Sequence, residues 1–214
     1  MGRLMAHFYD RVMARSEAAC LSAWRRELLA DVDGHVLEVG AGTGVNLSFY
    51  PKTTQRIVMS EPDPHMRFQL ESRIASVNST SIDLSDGALE SLPFPDGEFD
   101  VVTCMLVLCS VPDLTASIHE MRRVLAPDGR LVFMEHVAAD DQTSTLNWQR
   151  RLEPLWKRFS GGCHLTRRTE KAIVDGGFAI ERIRRESMQT SIPVARPTIR
   201  GVAVRQSRAN TVSR

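Results

Sequence analysis

The sequence predicts an α/β fold built on a doubly wound, mostly parallel sheet. Short segments rich in β-branched residues alternate with segments of helical periodicity, which is typical of parallel strands joined by crossover helices. The near-continuous apolar run from Phe99 to Leu106 has the composition of a central strand that is buried on both faces. Two late strands with little helix between them predict an antiparallel C-terminal pair.

The elements follow one another along the chain without internal repeats. An N-terminal helical cover is predicted over residues 1–30, because apolar side chains recur there every three or four positions. Strands are predicted at 35–39, 55–60, 80–84, 99–106, 130–135, 178–184 and 198–205. Helices are predicted from 45 to before 51, and at 65–75, 113–124, 146–159 and 169–175. Pro127, Asp128 and Gly129 are expected to separate the third of these helices from the fifth strand.

The chain is predicted to fold as a single domain over residues 1–205. Residues 139–170 are interpreted as an insertion that follows the fifth strand and borders the substrate site. Residues 206–214 are polar, and a flexible tail is predicted there.

The composition limits the possible partners and locations. The 214 residues include 27 Lys and Arg against 26 Asp and Glu, a formal net charge of +1, so no nucleic-acid partner is predicted. The most apolar run, Val101 to Val111, is about half of the ~20 residues that a membrane-spanning helix needs. No membrane insertion is therefore predicted, and basic side chains leave only a weak surface association open. Four scattered cysteines predict a reducing, cytoplasmic location.

A glycine-rich loop follows the first strand. Gly40, Gly42 and Gly44 let the backbone approach a ligand closely, at the edge of the sheet where α/β folds bind nucleotides. The dinucleotide fingerprint requires a third glycine at position 45, which is Val45, and no phosphate-binding Gly-Lys-Ser/Thr sequence follows. The loop therefore favours a nucleoside ligand without a pyrophosphate.

An acidic residue ends the second strand. Glu61 stands 23 positions after Glu38, at the distance where dinucleotide folds place the carboxylate that accepts hydrogen bonds from a ribose diol. Together with the glycine loop, this residue favours S-adenosylmethionine over NAD as the ligand.

Four motifs resemble those of class I S-adenosylmethionine-dependent methyltransferases, which have a Rossmann-like fold. They are LEVGAGTG from Leu37, SEPDPHM from Ser60, LPFPDGEFDVV from Leu92 and MRRVLAPDGRLVFME from Met121. Within that superfamily, five further segments resemble the methyltransferase-like 7 group, whose members are alkyl thiol methyltransferases; they are CMLVLCSV, MEHVA, WQRRLEPLW, GCHLTR and RPTIRGVAVR, between Cys104 and Arg205. The resemblance implies methyl transfer from S-adenosylmethionine to a small, apolar thiol, with S-adenosylhomocysteine as the other product.

The resemblance also implies which residues form the site. The positions implied for the cofactor are Gly40, Ala41, Gly42, Gly44, Glu61, Pro62, Met66, Gly87, Ala88, Leu89, Met105 and Leu106. Those interpreted as lining the acceptor site are Cys109, His136, Trp148, Cys163 and His164. Met66 and Leu89 would flank the adenine, and Met105 and Leu106 would lie under the sulfonium.

The chain departs from the family pattern at two places. Ala88 stands where the family often has an acidic residue for the adenine amine, so Asp86 or backbone groups would serve instead. The animal members carry an N-terminal membrane anchor, and since no comparable apolar segment occurs here, membrane association is not expected to carry over.

The candidate catalytic residue is His136, which directly follows the fifth strand and could orient or deprotonate the acceptor. Satisfying loop carbonyls is the equally weighted alternative for this side chain. Cys163 and His164 are sequential and no third ligand is suitably spaced, so no metal site is predicted. Tyr9, with Phe8, could cover the cofactor from the leading helix.

Two other functions stay open at this point. The first is C- or O-methylation of a quinone, a lipid or another small molecule, although these acceptors need stronger base assistance than a thiol does. The second is a non-catalytic S-adenosylmethionine-binding module, which the lack of an obvious base keeps possible.

Overall fold

The computed structural model describes residues 3–77 and 81–206, which form one seven-stranded sheet flanked by helices. The strands lie in the order β3-β2-β1-β4-β5-β7-β6, and β7 runs antiparallel to both of its neighbours. The strand bounds are β1 His35–Val39, β2 Arg56–Ser60, β3 Ser81–Ser85, β4 Phe99–Met105, β5 Leu125–His136, β6 Phe178–Ser187 and β7 Pro197–Arg205. The predicted fold class and the antiparallel C-terminal pair are confirmed.

The helices occupy the segments that periodicity predicts. Their bounds are α1 Arg3–Ser16, α2 Ser22–Leu29, α3 Pro64–Ile74, α4 Leu114–Val124, α5 Ser144–Phe159 and α6 Thr169–Asp175. A π-helical turn, Glu17–Leu21, joins α1 to α2, so the N-terminal cover is almost continuous. The segment after the glycine loop forms only a 3-10 helix, Val45–Phe49. None of the described helices is both long and apolar enough to cross a membrane.

Local capping explains where two of these helices begin. The Asp63 carboxylate accepts hydrogen bonds from the backbone N–H groups of His65 and Met66, and Pro64 occupies the first turn of α3. Asp113 caps α4 in the same way through the N–H of Ala116. Both caps place the first turn of a helix beside the carboxyl ends of the strands.

The boundary between α4 and β5 differs from the prediction. Strand β5 begins at Leu125, so Pro127 to Gly129 lie inside the strand rather than before it. The pairing of β4 with β5 jumps from Phe99–Leu125 to Val101–Arg130, so the intervening residues form a bulge. A bulge tolerates Pro127 because the missing N–H is not needed by the ladder there.

The strand order reverses between β1 and β4, which are neighbours although two strands separate them in sequence. Their carboxyl ends therefore diverge into crossovers on opposite sides and leave a crevice above the sheet. Apolar side chains from both sheet faces fill the core beneath this crevice. Of the predicted segments, residues 1–2 of the N-terminal cover, Thr80 at the start of the third strand and residues 207–214 of the tail lie outside the described residues.

Candidate functional site

A cavity of about 360 Å³ lies at the crevice between β1 and β4, and we call it the switch-point cavity. Eight of the residues implied for the cofactor line it: Gly40, Gly42, Glu61, Pro62, Met66, Gly87, Leu89 and Leu106. They come from the loops that follow β1, β2, β3 and β4 and from the first turn of α3. The topology therefore gathers at one place residues that are up to 66 positions apart in the sequence (106 − 40).

Glu61 lies in the wall of the switch-point cavity with its carboxylate held in place. One oxygen, Oε2, accepts a hydrogen bond of 2.8 Å from the Gly42 N–H, and Oε1 accepts one of 2.9 Å from the Asp63 N–H. The side chain is 7% exposed, and burial raises its pKa above the usual range. Each carboxylate oxygen has a second acceptor position, so the group can still accept hydrogen bonds from two vicinal hydroxyls.

Two glycines of the loop, Gly42 and Gly44, would each be disturbed by a side chain, but for different physical reasons. Gly42 has a φ of +58°, and a Cβ built on it would meet no atom within 4 Å, so a side chain there would fill cavity space. Gly44 has a φ of +82°, and its Cβ would lie 2.6 Å from Leu70 of α3. Gly42 thus leaves room for a ligand, whereas Gly44 allows α3 to pack against the loop.

Four of the residues implied for the cofactor do not line the switch-point cavity: Ala41, Gly44, Ala88 and Met105. The Ala41 N–H instead donates to the Ser60 carbonyl, which fixes the loop to β2. The sulfur of Met105 lies 3.6 Å from Nη1 of the Arg25 guanidinium. Met105 is the last residue of β4, whereas Leu106 has a φ of +62°, so the chain turns between them and Leu106 alone of the two lines the cavity.

Several lining residues were not singled out from the sequence for this cavity. Ser60, Asp63, Val107, Ser110 and Gly161 lie in its wall. Tyr9, which the sequence analysis placed over the cofactor, also lines it, while Phe8 is 39% exposed and does not. Val107 and Ser110 lie within the segment CMLVLCSV, whose resemblance to the methyltransferase-like 7 group marks the segment but not which of its residues face the cavity.

A second cavity of about 420 Å³ adjoins the first, and we call it the apolar cavity. Tyr9, Leu106, Ser110 and Gly161 line both cavities, so the two share a wall. Half of its fourteen other lining residues are hydrophobic, and these come from α1, α5 and the segment after β6: Val12, Met13, Trp156, Phe159, Met188, Ile192 and Ala195. Val12, Phe159 and Ile192 are exposed, which places the mouth of the cavity beside them.

Three of the residues assigned to the acceptor form a cluster in the wall of the apolar cavity. The ligand atoms of Cys109, His136 and Cys163 all lie within 4.8 Å of one another, and Cys163 Sγ is 3.7 Å from His136 Nδ1. The other ring nitrogen, Nε2, lies 3.5 Å from the Val194 carbonyl oxygen. Residues 27 positions apart along the chain meet here through the fold, so their spacing in the sequence does not indicate this cluster.

The cluster also has unusual electrostatics. Hydrogen bonding to Cys109 and then to His136 lowers the pKa of the Cys163 thiol to about 4, against the cost of burial. The same contact with Cys163, together with burial, raises the pKa of Cys109 well above its usual range. The two thiols therefore differ in acidity, and Cys163 is the more acidic of the pair.

Trp148 and His164 do not line either cavity. Trp148 is 54% exposed, with the Arg151 guanidinium 5.6 Å from its ring, and it lies about 80° around α5 from Trp156 because eight residues exceed two full turns. His164 Nδ1 instead lies 3.1 Å from Glu153 Oε1. The tryptophan that lines the apolar cavity is Trp156.

Glu135 is a buried carboxylate that organises the loop after β4. Its Oε1 accepts a hydrogen bond of 2.9 Å from the Val107 N–H, and Oε2 accepts one of 3.2 Å from the Cys109 N–H. The side chain is fully buried, and burial raises its pKa to about 7. Residues of this loop line both cavities, whereas Glu135 itself lines neither. Glu135 therefore acts on the shape of the cavities through the loop that it holds in place.

Glu38 is a second buried carboxylate, at the end of β1 beneath the glycine loop. It accepts hydrogen bonds from Asn46 Nδ2 at 2.9 Å and from the Tyr50 hydroxyl at 2.8 Å. Burial raises its pKa to about 7, although both hydrogen bonds and Arg25 oppose the shift. The folded chain therefore binds a proton here more tightly than the unfolded chain does.

We expect Glu38 to make the protein less stable as the pH rises from about 4.5 to about 7. The folded pKa lies above the unfolded one, so the stabilisation is present at acidic pH and is lost through this interval. Relative to the wild type, Glu38→Gln should gain on the order of 2–3 kcal/mol in free energy of unfolding between pH 5 and pH 8. Urea unfolding at both values measures this change. Glu71→Gln, on the exposed side of α3, is the control, and a Glu38→Gln variant that follows the wild type at both pH values would contradict the shifted pKa.

Comparisons with known proteins agree with this geometry. The family model described as "Methyltransferase domain" matches residues 37–133, which include the glycine loop and Glu61. Human thiol S-methyltransferase TMT1A is 38% identical over 172 residues, covering 79% of this chain and 70% of that protein. Human thiol S-methyltransferase TMT1B is 35% identical over 193 residues, covering 85% and 78% respectively.

A solved structure shares the fold. The N-methyltransferase NodS from Bradyrhizobium japonicum, crystallised with S-adenosyl-L-homocysteine, has a TM-score of 0.65 to this chain. The match covers 90% of this chain and 88% of NodS, with 14% sequence identity. At that identity the likeness concerns the architecture alone.

Proposed function

This chain belongs to the S-adenosylmethionine-dependent methyltransferase family, and we propose that it methylates a small, apolar thiol. The switch-point cavity would hold S-adenosylmethionine, and the apolar cavity would hold the acceptor. The product would be a thioether. The observation that carries this proposal is the shared wall between the two cavities, with a cysteine–histidine cluster at the acceptor side.

The residues of the switch-point cavity fit the cofactor. Glu61 offers two anchored carboxylate oxygens to the ribose diol, and Gly42 leaves open space in which a side chain would otherwise lie. Met66 and Leu89 offer apolar surface for the adenine, and Leu106 lies where both cavities meet. When bound, S-adenosylmethionine supplies an electrophilic methyl group on a sulfonium centre.

The apolar cavity suits an acceptor that carries little charge and brings its own nucleophile. Its walls are mainly hydrophobic, and a hydrophobic chain gains free energy by leaving water there, on the order of 0.8 kcal/mol per buried CH₂ group. The polar groups of the cluster lie in one part of this wall, so they can face the reacting end of the acceptor.

A thiol acceptor fits the absence of a strong, exposed base. The S–H bond breaks, the sulfur forms a bond to the methyl carbon, and the carbon–sulfur bond of the sulfonium breaks, so one proton is released overall. Since a thiol loses its proton near neutral pH, the residues of the cluster need only orient the sulfur and assist this loss. His136 stays a proposed catalytic residue in this sense. The thiol S-methyltransferase names of the two human relatives support the same acceptor class.

We expect the purified chain to methylate a simple alkyl thiol at least tenfold faster than the alcohol of the same chain length, because an alcohol at neutral pH is not ionised and the site offers no strong base. Incubation with isotope-labelled S-adenosylmethionine and mass spectrometry of the products measures both rates in one assay. Equal or faster methylation of the alcohol, or methylation of a quinone but no thiol, would reject the thiol assignment. Binding of the cofactor without transfer to any member of the acceptor panel would indicate a non-catalytic binding module.

The remaining predictions concern partners and location. We propose no nucleic-acid partner and a cytoplasmic location, on the near-neutral net charge and the four cysteines that are all free. The single-domain organisation with an acceptor-bordering insertion at 139–170 is likewise proposed. It is supported by Trp156, Phe159, Gly161 and Cys163, which come from this segment and line the apolar cavity.

A further inference from the structure

We propose that Cys109, His136 and Cys163 bind a Zn²⁺ ion whose fourth coordination position faces the apolar cavity and takes the acceptor sulfur. The cluster brings together two thiol sulfurs and one imidazole nitrogen, which is the ligand set that zinc prefers. All three side chains line the apolar cavity, so a ligand from that cavity can complete the coordination. The metal site stands independently of the methylation reaction, whereas its role toward the acceptor rests on the proposed function.

The distances are close to those of a tetrahedral site. Bond lengths of about 2.3 Å to sulfur and 2.0–2.1 Å to nitrogen place neighbouring ligand atoms about 3.6–3.8 Å apart. Cys163 Sγ and His136 Nδ1 are already 3.7 Å apart, and no pair in the cluster is separated by more than 4.8 Å. Movements of about 1 Å or less would therefore close the site.

The surroundings of His136 favour metal binding through Nδ1. Its Nε2 lies 3.5 Å from the Val194 carbonyl oxygen, so with a metal bound Nε2 would carry the proton and Nδ1 would give its lone pair to the ion. Metal-binding histidines are usually oriented by such a contact from the other ring nitrogen. Gln149 Nε2 donates to the same carbonyl at 2.9 Å, which holds this acceptor in place.

The loops that carry the two cysteines are tied together by the backbone. The Cys109 N–H donates to Glu135, and the Cys109 carbonyl accepts a hydrogen bond of 2.7 Å from the His164 N–H, next to Cys163. The Arg167 guanidinium donates to the carbonyls of Leu108 and Val111 in the same loop. The ligands are therefore presented on a frame that is already hydrogen-bonded, which lowers the cost of ordering them around a metal.

The charge balance also fits a divalent ion. Two thiolates and one neutral imidazole neutralise Zn²⁺, so the occupied site carries no net charge among apolar neighbours. When a thiol acceptor coordinates, its S–H bond breaks, the sulfur gives an electron pair to the metal, and the proton leaves to solvent water through the mouth of the cavity. Arg167, which interacts electrostatically with both cluster sulfurs, offsets the added negative charge.

The proposal is tested with Co²⁺ as a spectroscopic substitute for Zn²⁺, on the full chain after chelation and removal of reductant. The wild type should bind one Co²⁺ per chain with a thiolate-to-metal absorption band, and one Zn²⁺ should displace it. Cys163→Ser should bind roughly tenfold more weakly or worse, since a ligand is lost. Cys20→Ser is the matched control, because Cys20 is a buried cysteine on the N-terminal cover and is not part of the cluster.

Thermal unfolding gives a second measurement of metal binding that does not depend on the intensity of the Co²⁺ absorption band. Zn²⁺ should raise the melting temperature of the wild type and of Cys20→Ser, and should raise that of Cys163→Ser by a smaller amount at the same Zn²⁺ concentration. No stoichiometric Co²⁺ binding by the wild type, or equal Co²⁺ affinity in Cys163→Ser, would overturn the metal site. Loss of two reactive thiols without metal binding would overturn it in favour of a Cys109–Cys163 disulfide.

The acceptor role is tested on the Co²⁺-loaded wild type without any methyl transfer. A short alkyl thiol should increase the thiolate-to-metal band, and the matching alcohol should not. An unchanged band with the thiol would overturn the acceptor role of the metal. Co²⁺ and thiol binding with no methylated thiol in the labelled-cofactor assay would instead contradict the proposed function alone, so the two failures are distinguishable.

Discussion

Glu61→Ala should weaken binding of S-adenosylmethionine or S-adenosylhomocysteine by about 10- to 150-fold, which corresponds to about 1.5–3 kcal/mol for hydrogen bonds to a charged group. The carboxylate is buried in the wall of the switch-point cavity and is pre-oriented by the N–H groups of Gly42 and Asp63. Its removal takes away the acceptors for the ribose diol and also leaves those two N–H groups without their partner. Isothermal titration calorimetry measures the affinity directly.

A control separates the loss of a ligand contact from the loss of an acidic residue. Glu71→Ala removes an exposed carboxylate from α3, close in sequence to Glu61 but outside the lining of the cavity, and should bind the cofactor like the wild type. A thermal melt of the ligand-free Glu61→Ala protein verifies that it is folded. Unchanged affinity in a folded Glu61→Ala protein would refute the ribose assignment.

Glu135→Ala should lower the free energy of unfolding by about 2–4 kcal/mol. It should also reduce the rate of methyl transfer per folded molecule, because the loop after β4 lines both cavities. The substitution leaves the buried N–H groups of Val107 and Cys109 without acceptors, and an unsatisfied buried donor costs about 1–3 kcal/mol. The cost of burying the carboxylate itself, visible in its pKa of about 7, offsets part of the loss. Urea unfolding at pH 7 gives the stability.

Two comparisons sharpen the Glu135 prediction. Glu135→Gln keeps one carbonyl oxygen and can satisfy one of the two N–H groups, so its stability should fall between those of the wild type and the alanine variant. Glu181→Ala removes an exposed carboxylate from β6 and should change the stability by no more than about 0.5 kcal/mol. If alanine and glutamine at position 135 both leave the stability and the thiol KM unchanged, Glu135 does not position the loop after β4.

The predictions were accurate for features that neighbouring residues determine and less accurate for features that depend on contacts between distant segments. The turn of α3 that begins at Pro64, the apolar strand β4 and the glycine loop are determined by neighbouring residues, and all three were located to within about two residues. The start of β5 was misplaced because the proline–glycine signal at 127–129 marks a helix end and a strand bulge equally well. Only pairing with β4 distinguishes the two.

The candidate site shows the same division. Gly42 and Glu61 were identified because their spacing follows the β-strand, loop and β-strand order of a nucleotide-binding unit. Gly44 was assigned to the ligand by the same pattern and Met105 by the family resemblance, yet both lie outside the lining of the switch-point cavity. Pattern matching shows which segment lies at the cavity, whereas the direction of each side chain depends on packing against α3 and the N-terminal cover.

By itself, the sequence determined an α/β sheet and predicted a nucleoside site at the reversal of strand order, because both inferences rest on short-range periodicity and on a loop of neighbouring glycines. The tertiary structure alone decided that Cys109, His136 and Cys163 meet. They lie on the loop after β4, at the end of β5 and on the loop after α5, and no local pattern records distances between separate segments. The insertion of β7 between β5 and β6 is also a tertiary result, since an antiparallel pair can add to a sheet edge in more than one order.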